Sequence, residues 1–71
     1  MGTQFAAHLT DLASHDEYMI VGNTAEEAEA LGARHVEAEA KRGICLEVTL
    51  LGPMCGVSHP TGEVVKMNRV V

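Results

Sequence analysis

Aromatic side chains are almost missing from this chain: one Phe, one Tyr and no Trp. Its core must be built from Val, Ile, Leu, Met and Ala, within 71 residues, a length that suits one domain. A domain near this size buries only ~60% of the surface its unfolded chain exposes. Such a core does not enclose a drug-sized pocket, which needs ~300 Å³ or more of organised cavity. A stand-alone enzyme with a deep site is therefore not expected. Basic charge is also scarce. Five Lys and Arg face ten Asp and Glu, for a formal net charge of −5. An acidic domain is repelled by nucleic acid and by anionic membrane, and is drawn to basic protein surfaces. No direct binding of nucleic acid is expected. There is no run of ~18 apolar residues, so no membrane span is expected. No basic segment followed by an apolar run opens the chain, so no signal peptide is expected either. Met1-Gly2 begins like a myristoylation site, but position 6 is Ala rather than Ser or Thr. The two cysteines, Cys45 and Cys55, then read as reduced thiols in a cytoplasmic chain.

What is present begins with Asn23-Thr24-Ala25-Glu26-Glu27. It lies between the apolar run Tyr18-Met19-Ile20-Val21-Gly22 and a long Ala/Glu segment. The spacing predicts a strand that stops and a helix that starts. Thr24 can accept from the Glu27 backbone N–H while the Glu27 carboxylate reaches back to the Thr24 N–H, a capping box. The helix is predicted from Ala25 to about Arg42. Steps of 100° gather Ala25, Ala28, Leu31, Gly32, His35 and Val36 on one face, with Glu26, Glu27, Arg34, Glu37 and Lys41 opposite. Ala28 and Gly32 are small at adjacent turns, so the helix can lie close to a sheet there. Glu37 and Lys41 have the spacing of an i,i+4 ion pair. Lys41 and Arg42 supply a basic end, and Gly43 a stop.

Strands are predicted on either side. Thr3 to Thr10 alternates, with Phe5, Ala7 and Leu9 on one side. Asp11 to Asp16 is a polar hairpin loop, and Glu17 to Val21 a second strand that is apolar on both faces. Ile44, Leu46, Val48 and Leu50 alternate with Cys45, Glu47 and Thr49. Gly52-Pro53 is read as a tight turn into a weaker strand at Met54 to Ser58. His59-Pro60-Thr61-Gly62 is read as a type I turn, and Glu63 to Val70 as the closing strand. The fold expected is α+β, with a single helix packed on one face of a four- to five-stranded antiparallel sheet in the order ββαβββ. Phe5, Leu9, Ala28, Leu31, Val36, Ile44, Leu46, Val48 and Leu50 are the expected core.

No chemical motif stands out. Cys45, Cys55 and His59 give C-x9-C-x3-H, without the close cysteine pair of a structural zinc site. A Gly52-Pro53 turn would set the two cysteines on opposite faces, so neither a metal nor a disulfide is expected. Ser58 and His59 are adjacent and would point apart on a strand, which does not suit a nucleophile and its base. His35, on the apolar helix face, reads as a partly buried histidine rather than a ligand. Gly52, Gly56 and Gly62 do not form a phosphate loop, because no helix follows them. No cofactor and no catalytic residue is expected. The remaining signals are acidic and apolar. Asp11, Asp16, Glu17, Glu26 and Glu37 are the candidate partner-binding residues, suited to docking on a basic surface. Strand two, with Leu51, Met54, Val70 and Val71, supplies more apolar area than one helix covers, which marks a contact surface for a homodimer or a bound partner.

As an order of elements, the hairpin, capped helix and three closing strands resemble the small proteins that phages encode against host defences, including some type I anti-CRISPR proteins. The likeness in detail lies in Tyr18-Met19-Ile20-Val21-Gly22-Asn23-Thr24-Ala25-Glu26-Glu27-Ala28. It implies a non-enzymatic inhibitor that binds a larger protein complex and blocks DNA recognition or nuclease recruitment. Antitoxins of the HicB type show a similar strand followed by G-x-T-x-E-E-A, and this chain departs from them after the helix. They supply the alternative, a homo-oligomeric antitoxin-like or structural regulatory protein.

Overall fold

The break at Asn23 and Thr24 divides the molecule. The computed structural model describes residues 3–54 and 58–67. Two strands come first, β1 (Phe5–Asp11) and β2 (Glu17–Gly22), then the helix α1 (Ala25–Ala40), then β3 (Leu46–Pro53) and β4 (Val64–Met67). The strands form one antiparallel sheet in the order β3-β1-β2-β4, and α1 packs across one of its faces. The fold is therefore α+β, with four strands among the described residues.

The helix starts where its cap residues place it. The Glu27 N–H donates to Thr24 Oγ1 at 3.0 Å. The Glu27 carboxylate accepts from the Asn23 N–H at 2.9 Å, one residue earlier than the capping box would have it. The last helical residue is Ala40, two short of the sequence expectation. Gly43 takes φ +83°; its N–H donates to the Ala40 carbonyl and the Ile44 N–H to the Glu39 carbonyl, both at 3.0 Å. This pair of bonds is a Schellman stop, which needs the left-handed residue that glycine supplies. Lys41 and Arg42 thus fall beyond the last turn. The ion pair that forms here is Arg42 with Glu39 at 3.3 Å, not Lys41 with Glu37.

Small residues set the helix on the sheet. A Cβ on Gly32 would lie 2.9 Å from the Ala7 Cβ, and one on Gly22 only 2.5 Å from the Ala28 backbone nitrogen. Ala7, Leu9, Ile20 and Leu46 form the buried cluster, with Tyr18, Leu31, Val36 and Ile44 packed partly buried against it. Ala28 is fully buried as well. Phe5 is only half-buried.

Two expected core residues are exposed: Val48 at 43% and Leu50 at 60%. The cause is twofold. β3 is an edge strand, and its register against β1 shifts between His8 and Leu9. That bulge puts two residues of β3 against one of β1. Leu46 and Val48 pair with Asp11 and Leu9, on the helix side. Leu50 pairs with His8 and faces the other side, so the simple alternation at 44–50 breaks.

Gly52-Pro53 does not turn the chain into a neighbouring strand. β3 runs on through Pro53, paired with Phe5 of β1, and the next strand lies at the far edge of the sheet. Of the expected strand at 54–58, residues 55–57, including Cys55, lie outside the described residues, as do Val70 and Val71. The connection crosses at the end of the sheet where β1 starts. Gln4 holds it there: its side chain donates to the His59 carbonyl at 2.8 Å and accepts from the His59 N–H at 3.0 Å. The turn into β4 is closed by the Glu63 N–H on the Pro60 carbonyl at 3.1 Å. It begins one residue later than expected. Gly62, at φ +86°, is its third residue, the position that needs a positive φ in a type II turn.

Candidate interaction surface

The five candidate carboxylates fall into two groups. Asp11, Asp16 and Glu17 sit at the β1–β2 hairpin, while Glu26 and Glu37 stand exposed on α1. Eleven residues separate the helical pair, which places them ~16 Å apart along the axis and within ~20° of one side. The two helical carboxylates share an outer face, with Glu29 also exposed near them.

The hairpin carboxylates have work within the fold. Asp11 accepts from the Ala13 N–H at 2.8 Å and the Ser14 N–H at 3.1 Å. The Ser14 and then the Ala13 backbone donors hold its carboxyl below the ordinary value of 3.8, because both favour the ionised form. This fixes a turn in which His15 takes φ +65°. Asp16 lies 3.8 Å from the Lys66 ammonium of β4. Glu17 opens β2, opposite Met67 and Thr10.

The sheet face away from α1 is ordered in rows across the strands. Nearest the hairpin is Glu47–Thr10–Glu17–Met67. Next comes Leu50–His8–Met19–Val65. The third is Gly52–Ala6–Val21. Ala6 and Val21 are fully buried although they point away from the helix. Here the Gly62 N–H donates to the Val21 carbonyl at 2.8 Å and the Val21 N–H to the Glu63 carbonyl at 3.3 Å, where the returning connection meets β2. The second row is open: Leu50 is 60% exposed, and His8, Met19 and Val65 are half-buried. Sequence reasoning placed surplus apolar area on strand two but did not single out His8, Leu50 or Val65. The signal for Leu50 was hidden by the bulge.

The histidines and cysteines are dispersed. His59 Nδ1 lies 2.9 Å from a Glu63 carboxylate oxygen, a contact that straddles the turn into β4. His35 is half-buried and lines an open groove of about 220 Å³ between α1 and β4 with Ile20, Leu31, Arg34, Ala38, Gly62 and Val64. Cys45 is exposed. Among the described residues no three or more His, Cys, Asp or Glu side chains are grouped to hold a metal ion, and no helix is long and apolar enough to cross a membrane.

Comparison with known proteins finds no matching family model, no similar curated protein and no similar solved structure.

Proposed function

We propose that this protein acts by binding another protein, without turnover, and occupies a basic nucleic-acid-binding surface of a larger complex. The observation that carries this reading is the set of exposed carboxylates on the outer face of α1, with an open apolar row on the opposite side of the molecule, where the sheet is not covered by the helix. Leu50 and Met67, 60% and 37% exposed, lie on the sheet face that α1 leaves uncovered. Glu26, Glu29 and Glu37 stand exposed on α1, in a chain of net charge −5. Charge of one sign steers a domain toward a surface of the other, and apolar contact then holds it. The resemblance to phage-encoded inhibitors gives the partner its class, a bacterial nucleoprotein complex such as a type I CRISPR surveillance complex. Competition with nucleic acid is the mechanism.

The test is a gel-shift assay of target DNA binding by a type I surveillance complex as this protein is added. The expected result is loss of the shifted band in proportion to added protein, relieved by raising the salt. Hydrolytic turnover that disappears in His35→Ala or His59→Ala, with the fold intact, would contradict the reading.

A further inference from the structure

We propose that the outer edge of β4, with the groove between it and α1, takes an extended acidic segment of a partner protein as an added strand. This surface is separate from the outer helix face on which the proposed function rests, so either can fail alone.

Two features meet at this edge. The first is backbone. Among the described residues β4 is an outermost strand of the sheet. The Val21 N–H donates to the Glu63 carbonyl at 3.3 Å, which makes 21 and 63 a hydrogen-bonded pair. Bonded and non-bonded pairs alternate along an antiparallel ladder. Met19–Val65 and Glu17–Met67 are therefore bonded pairs, and Ile20–Val64 and Tyr18–Lys66 are not. The N–H and C=O groups of Val64 and Lys66 thus face outward, where an incoming strand can take them. The second feature is the groove. α1 packs on β3, β1 and β2 but not on β4, so the helix side of β4 stays open. Val64, 40% exposed, forms an apolar floor with Ile20, Leu31 and Ala38, and Arg34 and His35 form the rim. A strand added ~4.8 Å beyond β4 turns every second side chain toward α1, at ~7 Å intervals. This is strand addition, in which main-chain bonds hold the guest and alternate side chains specify it.

Charge selects the occupant. Arg34 is exposed and in no ion pair. Lys41, seven residues on, falls within ~20° of it around the helix and is likewise unpaired. Lys66 lies opposite Tyr18 and so points to the helix side, with Asp16 at 3.8 Å. In a chain of net charge −5, this flank gathers cations. A guest strand with one apolar and one acidic side chain on its helix-facing side meets both the floor and the rim. A second copy paired through β4 would instead bring another Lys66 to the same cations. A lysine on an edge strand discourages such self-pairing, and like charges disfavour it further.

The test is an NMR titration of the full chain with three synthetic peptides of about seven residues, the length of an ordinary strand. The first alternates Thr with Leu and Glu, so that Leu and Glu share one side of the strand. The second has Lys in place of Glu. The third is the first with its Leu and Glu backbone nitrogens methylated, which removes the donors that would face β4. The expected result with the first peptide is saturable shifts at Leu31, Arg34, Ala38 and Val64, with slowed hydrogen exchange of the Val64 and Lys66 amides. The other two peptides should do neither. Arg34→Glu should weaken binding about tenfold at low salt and, because Arg34 is exposed, leave the thermal midpoint in place. Val64→Pro should abolish binding, because the outward N–H is not part of the ladder to β2 and proline is tolerated on an edge strand. If that variant does not fold, the methylated peptide makes the same test on the wild type. Equal binding of the Lys peptide or the methylated peptide, or no binding of any, would overturn the inference. So would slow exchange of the Val64 and Lys66 amides in the free protein, a dimer in sedimentation that Val64→Pro dissociates, or the same shifts from single-stranded DNA. The gel-shift assay with a surveillance complex tests the proposed function independently of these results.

Discussion

Replacing Gly32 by Ala probes how closely α1 lies on the sheet. The added Cβ would sit 2.9 Å from the Ala7 Cβ, 3.7 Å from Ile20 Cγ2 and 3.9 Å from Leu9 Cδ2. The last two are ordinary contacts. The first is short of an ordinary carbon–carbon separation by roughly 1 Å. Ala7 has no rotamer with which to yield, and it sits on β1, which is laddered on both sides by β2 and β3. The helix must therefore lift. Overpacking of this kind costs ~1–3 kcal/mol. Gly→Ala within a helix returns ~1 kcal/mol of intrinsic propensity. A net loss of about 1 kcal/mol is the expected outcome. In urea, where small domains unfold with slopes near ~1 kcal/mol/M, that moves the midpoint down by about 1 M. The paired variant Ala7→Gly/Gly32→Ala removes the clash while keeping the helix gain. A double-mutant cycle should then show coupling of about 1 kcal/mol or more between the two positions. Urea unfolding followed by circular dichroism measures all four proteins. If Gly32→Ala raises the midpoint by the full helix increment and shows no coupling to Ala7, the close approach of α1 to β1 is wrong.

Leu9→Ala should cost ~2–5 kcal/mol, as a fully buried leucine does, whereas Leu50→Ala should stay within about 0.5 kcal/mol; urea midpoints of the two variants check the placement of the core on β1 rather than at the end of β3. Thr24→Ala should cost ~1 kcal/mol by freeing the Glu27 N–H, and an unchanged thermal midpoint would mean that the helix begins elsewhere. Asp11 has its folded pKa depressed by the Ser14 and Ala13 donors, so its contribution is present above the ordinary value of 3.8 and is lost as pH falls through the lower folded value. The Ser14 and Ala13 amide shifts followed against pH should therefore titrate below 3.8, and a midpoint at or above it would contradict the turn geometry.

The helix and the inner hairpin were legible because their signals are local. Thr24 with Glu27, and Gly43 at the far end, act within four residues of the bonds they make. Ala28 and Gly32 announced the packing face by their size alone. The path of β3 was not legible. Gly52-Pro53 carries the composition of a turn, yet Pro53 stands at the outer end of an edge strand, where a missing donor is tolerated. Nothing nearby in sequence shows that β3 pairs with β1 instead of with the residues that follow it. The side-chain clamp of Gln4 on His59, 55 residues away, is of the same kind. The bulge opposite His8 reversed Leu50, and no periodicity reveals a bulge. Of the candidate surface, the carboxylates were found by composition. Their division between hairpin and helix was legible too, since the loop and the helix were both read from local signals, whereas the turn duty of Asp11 required the fold.

The most direct test of the account is the kinetics of binding to a type I surveillance complex, compared between the wild type and Glu26→Lys/Glu37→Lys. Both positions are exposed on α1, so the substitutions leave the core alone. If carboxylates steer this domain onto a basic surface, the double variant should associate more slowly, with a smaller change in dissociation, and the difference should shrink as salt rises. Equal association rates for the two proteins at low salt would contradict the central claim.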